Sequence, residues 1–215
     1  MTLDDVTRLA RTGEGQHLEF KKRIPEGARF AKEVAAFANS GGGILLIGVD
    51  DDGTVTGVRD REEELFALRS ILDTFCSPPV AIDIELVHVS RRREVIVIRV
   101  SSSGDRPHYV QKDERQVVYI RASDQSVEAS AESTRLMKLR DADVDVAFEF
   151  GDRELSLMRY LDEYGQVTVD QFASLVNIPE EDASDILVVL TRASLLNIHP
   201  SERSDFFTIA RSKAG

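Results

Sequence analysis

One cysteine, Cys76, stands in a chain of 215 residues, so neither an intramolecular disulfide nor a cysteine-rich zinc site is open to it. A chain without disulfides suits a reducing cytoplasm, and a cytoplasmic location is the expectation. No apolar run approaches the length needed to span a bilayer. Met1 to Arg11 carries Asp4, Asp5, Arg8 and Arg11 and no hydrophobic stretch, which reads as neither signal peptide nor membrane anchor. His17, His88, His108 and His199 show no metal-ligand spacing, and no Ser-His-Asp or Cys-His arrangement can be argued. Internal repeats are absent. Basic excess is absent too: 27 Lys and Arg face 38 Asp and Glu, a formal charge of −11. Proteins that coat DNA through phosphates alone are basic, so any nucleic-acid contact here has to come from a local patch. The same acidity fits a metal-assisted enzyme or a protein-interaction module.

What is present is a folded α+β pattern, with 42% hydrophobic residues. A short strand is expected at 17–20. A helix follows over 26–39, with Phe30, Val34, Phe37 and Ala38 on one face. Strands are expected at 44–49 and 54–58, the first wholly apolar and therefore buried on both faces. Next come a helix at 61–75, stopped by Pro78-Pro79, and strands at 82–86 and 95–100 around the basic turn Ser90-Arg91-Arg92-Arg93. A strand at 116–121 and a helix at 128–140 complete a first domain over 1–140. After an acidic boundary at 141–150, the order helix (152–164), short strand (166–168), helix (170–176), helix (180–196) and strand (206–209) is that of a small winged helix-turn-helix domain over 150–212.

Three glycines, Gly41-Gly42-Gly43, precede the apolar strand, which ends in Asp50-Asp51-Asp52-Gly53. No Lys-Ser or Lys-Thr follows the glycines, so the turn is not a P-loop and is better read as a packing turn. Upstream lie Glu14, then Leu18-Glu19-Phe20-Lys21, then Ala36-Phe37-Ala38-Asn39. Downstream lie Arg106-Pro107-His108-Tyr109 and Tyr119-Ile120-Arg121. As a linked set over roughly residues 1–140 these resemble the Schlafen-type Alba-like family. The family usually has Gly two places after that Arg, and here Ser123 stands there.

The resemblance implies nucleic-acid binding. In members with ribonuclease activity it also implies a divalent-metal site of two glutamates five apart and an aspartate, which maps onto Glu14, Glu19 and Asp51, with Asp50 as the register alternative. Mg²⁺ or Mn²⁺ would suit those oxygen ligands and could hold a water for attack on a phosphodiester. Otherwise Glu14 faces solvent, Glu19 pairs with Lys21 or Arg23, and the aspartates form a turn.

A second constellation is basic: Lys21, Lys22 and Arg23; Arg91, Arg92 and Arg93; then Arg106, His108, Lys112 and Arg121. Brought together, these would make a phosphate-binding face; kept apart, they are solvated edges. Tyr109 and Tyr119 could stack on unpaired bases. Arg121 sits inside an apolar strand and needs a partner or ligand. Cys76 ends an apolar helix and reads as a core residue. In the second domain, the third helix opens Glu180-Glu181-Asp182 and carries Asp185, which is repulsive to DNA phosphates and favours packing or dimerisation. The leading expectation is a nucleic-acid-binding protein (DNA or RNA), a transcriptional regulator working as a homodimer through Val144–Phe150. A metal-dependent ribonuclease and a non-catalytic interaction module are the alternatives.

Overall fold

The computed structural model describes residues 1–139 and 150–210, which divide into two compact units, Met1–Glu128 and Ala129 onward. Of the stretch Val144–Phe150, all but the half-exposed Phe150 lie outside the described residues, as does most of the expected boundary. No described helix is long and apolar enough to cross a membrane.

The first unit is α+β. Its chain runs α1 (Leu3–Thr12), β1 (Leu18–Lys21), α2 (Ala28–Asn39), β2 (Gly43–Ile47), α3 (Arg61–Phe75), β3 (Cys76–Ser77), β4 (Ile82–Ser90), β5 (Arg93–Val100), β6 (Tyr109–Lys112), β7 (Arg115–Ala122) and β8 (Gln125–Glu128). One sheet has the order β1-β2-β5-β4, with β1 parallel to β2 and the other pairs antiparallel. The other, β3-β6-β7-β8, is antiparallel throughout.

Strand β2 is central because it has no polar side chain to hydrate. Leu45 and Ile47 enter the core shared with α2 and α3, and Leu46 enters the opposite core beneath α1. Helix α1, which the sequence reading did not anticipate, is fixed by a capping box in which Thr2 and Asp5 bond each other's backbone N–H. Its buried Val6 and Ala10 close that second face. Helix α2 lies between the sheets, since its core also takes in Val110, Val117 and Tyr119 from β6 and β7.

The expected strand at 54–58 is not formed. Only single bridges, Val49 to Val55 and Val58 to Glu94, stand there. Gly48 (φ +102°) and Gly57 (φ +68°) explain this local geometry, for a Cβ on Gly48 would lie 2.8 Å from Gly57 Cα. The two backbones cross where no side chain fits.

The second unit contains α4 (Ala131–Leu139), α5 (Asp152–Tyr164), α6 (Val169–Val176), α7 (Glu180–Arg192), β9 (Leu196–His199) and β10 (Phe206–Ile209). Strands β9 and β10 pair antiparallel, and Val167 bridges Phe207. Helix α7 stops at Arg192, four residues short of the expected end, because Leu196 is already paired in β9. Its core is built from Leu157, Leu161, Phe172, Leu187 and Phe207. Helix α4 belongs to this unit: the Ser130 and Ser133 hydroxyls donate to Asp205 at 2.6 and 2.7 Å, and Arg135 pairs with Asp185 at 2.7 Å.

Candidate nucleic-acid interface and carboxylate cluster

Glu14 and Glu19 do converge, but on a lysine. The Lys21 ammonium donates to Glu19 Oε1 and lies 3.5 Å from Glu14 Oε1, which also accepts the Phe20 N–H at 3.1 Å. The second Glu19 oxygen accepts from Arg121 Nη1 at 3.1 Å, so both oxygens of this buried carboxylate are committed. Burial is the largest single influence on the Lys21 ammonium and lowers its pKa. Glu19, Glu14 and Glu33 together more than reverse this, and the pKa ends above the ordinary lysine value.

Arg121 is the hub. Its side chain is fully buried and donates to Glu19, to Glu33 at 3.0 Å, to Ser126 Oγ at 3.1 Å and to the Gly15 carbonyl at 2.8 Å. Its Nε has no hydrogen-bond partner, and the guanidinium carbon sits 4.7 Å from the centroid of the Phe37 ring, whose face attracts the cation. Phe37 can lie there because residue 43 is glycine; a Cβ on Gly43 would meet the ring at 2.3 Å. The glycine turn therefore serves packing.

Asp51 does not join this cluster. It is exposed on the turn held by Asp50 N–H to the Thr54 carbonyl, while Asp50 pairs with Lys22 at 3.0 Å and Asp52 accepts the Thr54 N–H at 2.9 Å. Among the described residues no group of three His, Cys, Asp or Glu side chains is placed to hold a metal ion. The cation beside both glutamates is the Lys21 ammonium, and Arg121 adds a second one at Glu19.

The basic residues separate into spent and unspent groups. Arg121 and His108 are buried and present no charge at the surface. The His108 ring Nδ1 contacts the Pro78 carbonyl at 2.8 Å, and its backbone N–H donates to Asn39 Oδ1 at 2.7 Å. Asn39 in turn donates to the carbonyls of His108 and Tyr119, both at 2.9 Å, which ties the end of α2 to β6 and β7. Tyr119 is likewise buried, so it offers no stacking face. Arg93 donates to the carbonyls of Thr56 and Gly57, and Arg106 to Ser102 Oγ at 3.2 Å. Lys22 and Arg23 are exposed but paired, with Asp50 at 3.0 Å and Glu64 at 4.0 Å, whereas Lys112 is exposed, as are Arg91 and Arg92 at the β4–β5 tip.

That tip forms one side of a hollow of about 460 Å³, whose other side is Val58 to Glu62 at the start of α3. Arg59 and Arg61 enter here, and the sequence reading missed both. Their link to Arg91–Arg93 runs through the Val58–Glu94 bridge, a long-range pairing that no local pattern announces. The carboxylates of the hollow are all occupied. Asp60 caps α3 by accepting the Glu63 N–H at 3.0 Å, Glu62 pairs with Arg61 at 3.1 Å, and Glu94 accepts from Arg61 at 3.1 Å and lies 3.0 Å from His88 Nδ1. Arg59, Arg91 and Arg92 are exposed and have no side-chain partner among the described residues. Cys76 is buried, and burial pushes its thiol up to about 12, which suits a core residue and not a nucleophile.

Comparison with known proteins gives one family. The family model described as "Schlafen, AlbA_2" matches residues 14–130. No curated protein matches the chain. Among solved structures, the N-terminal domain of a RecG-related protein from Nitrosomonas europaea is similar at 20% identity and TM-score 0.43, over 56% of this chain and 88% of that one. The DIP2311 protein from Corynebacterium diphtheriae is similar at 18% identity and TM-score 0.45, over 84% of this chain and 35% of that one. The chain thus spans about a third of the Corynebacterium protein.

Proposed function

Because the chain belongs to the Schlafen AlbA_2 family, whose model covers 14–130, we propose that it is a nucleic-acid-binding protein with a regulatory role in transcription. The observation that carries this is the unspent charge of the first unit: the exposed Arg59, Arg91 and Arg92, which no internal carboxylate neutralises, in a chain that is acidic overall. Guanidinium groups left free of partners at a surface suit phosphate, which they contact through paired N–H donors.

Residues 150–210 support the reading of a winged helix-turn-helix: three helices, then a hairpin whose second strand is bridged by Val167. Helix α7 opens with Glu180, Glu181 and Asp182, all exposed, so this unit is a packing or dimerisation module and not a groove reader. A homodimer doubles weak contacts with a two-fold site. Sedimentation at micromolar concentration tests it, and a monomer rejects it. Ribonuclease is the weaker reading, since Lys21 and Arg121 already neutralise Glu14 and Glu19.

The central test is fluorescence anisotropy of labelled duplex and single-stranded probes titrated with protein across a salt series. Binding that weakens steeply with salt is expected. No binding at the lowest salt would reject the function.

A further inference from the structure

We propose that the hollow between the β4–β5 tip and the start of α3 contacts the phosphodiester backbone of duplex nucleic acid. This rests on the nucleic-acid reading above and names its site and substrate class. Five arginines and three carboxylates line the hollow, and each carboxylate is already held by a cap or an ion pair. Three arginines, Arg59, Arg91 and Arg92, remain free. The hollow has a rigid frame. Arg93 is bonded to the carbonyls of Thr56 and Gly57, and Val58 and Glu94 exchange backbone bonds at 2.7 and 3.3 Å, so the loop carrying Arg59 is fixed against the hairpin carrying Arg91 and Arg92.

The chemistry of the lining selects the ligand. No Phe, Tyr or Trp lines the hollow, and its one ring, the His88 imidazole, is tied to Glu94 at 3.0 Å, so unpaired bases find little stacking surface. No Asn or Gln lines it either, so the amide that pairs with adenine edges is missing. What remains is a set of guanidinium forks carried on a fixed backbone frame, which suits backbone phosphates through paired N–H donors. DNA and RNA duplexes share that chemistry.

The experiment uses the full chain, its Arg59→Ala/Arg91→Ala/Arg92→Ala variant, and a charge-matched control, Lys22→Ala/Arg23→Ala/Lys112→Ala. Each is titrated against duplex DNA, duplex RNA and single strands of equal length across a salt series. The arginine variant is expected to lose roughly a hundredfold in affinity at low salt, and its log K versus log salt slope should shrink in magnitude by about 2 to 3, while the control keeps most of both. The DNA and RNA arms show which duplex is preferred.

Equal losses in variant and control would overturn the site, because only overall charge would matter. A variant indistinguishable from the parent protein would do the same while leaving nucleic-acid binding standing. Tighter binding of single strands than of either duplex would overturn the substrate class. Failure of the parent protein to bind any probe would remove the functional reading and this inference with it.

Discussion

Arg121 and Arg91 carry the same charge within one folded unit, yet one is buried among two carboxylates, a hydroxyl and a carbonyl while the other stands in solvent with no partner. The difference is one of bookkeeping between desolvation and pairing. A guanidinium taken out of water has to be surrounded by acceptors, and once surrounded it has nothing left for a ligand. A guanidinium left in water contributes little to the fold and stays available. The contrast extends to whole regions. Residues 1–128 hold 18 Lys and Arg against 22 Asp and Glu, whereas residues 129–215 hold 9 against 16. Local surplus for an anionic partner therefore arises more readily in the first unit.

The sharpest way to break this comparison is Arg121→Ala. It leaves the buried Glu19 and the partly buried Glu33 without their shared cation, and the expected loss is about 3–5 kcal/mol in chemical denaturation. A loss near zero would mean that Arg121 is as dispensable to the fold as Arg91. Next in size is Ser123→Gly. Ser123 holds φ +58° in the two-residue turn between β7 and β8, and removing its Cβ should raise stability by about 1 kcal/mol, read as a higher denaturation midpoint.

Lys21 gives a prediction in pH. Its pKa is raised in the folded state, so its contribution is fully present below the ordinary lysine value of 10.5 and is lost as pH rises through the higher folded value. In Lys21→Met the stability difference from the parent protein should therefore be constant through neutral pH and shrink only above that value. A difference that already collapses near neutrality would contradict the pairing with Glu19.

Smaller still, Arg59→Ala/Arg91→Ala/Arg92→Ala should change unfolding free energy by no more than about 0.5 kcal/mol, since these side chains touch nothing that folding needs. The smallest effect is expected from metal. Millimolar Mg²⁺ or Mn²⁺ should move the melting temperature of the parent protein by less than about 1 °C. A rise of several degrees that disappears in Glu19→Gln would restore the carboxylates as a metal centre.

Much of the first unit was legible because its elements announce themselves locally. Helix α3 starts at Asp60, whose cap is readable, and occupies the expected 61–75. Strand β2 shows its burial in an unbroken apolar run, and the linked motifs name the family that 14–130 matches. What escaped depends on partners distant in the chain. Nothing near Glu19 announces Arg121, and nothing near Arg91 announces Arg59. Ser123, where the family usually has Gly, holds the left-handed region in the turn between β7 and β8, a conformation that the sequence alone does not display. Equally, the motif residues Glu19 and Arg121 looked functional in sequence because they are polar among apolar neighbours. In space they pair with each other, while Asn39 bonds the backbone of His108 and Tyr119.

The Arg121 cluster draws its members from the two ends of the first unit, since the arginine reaches Gly15, Glu19 and Glu33 across 106, 102 and 88 positions of chain. Loops of that length close late, after local helices and hairpins have formed and when most loop entropy has already been given up. The cluster should therefore be unformed at the folding barrier and complete only beyond it. In stopped-flow measurements, Arg121→Met should accelerate unfolding and leave the refolding rate nearly unchanged. The buried charges would then act as a latch on an assembled fold, setting how long it stays closed and not how fast it is reached.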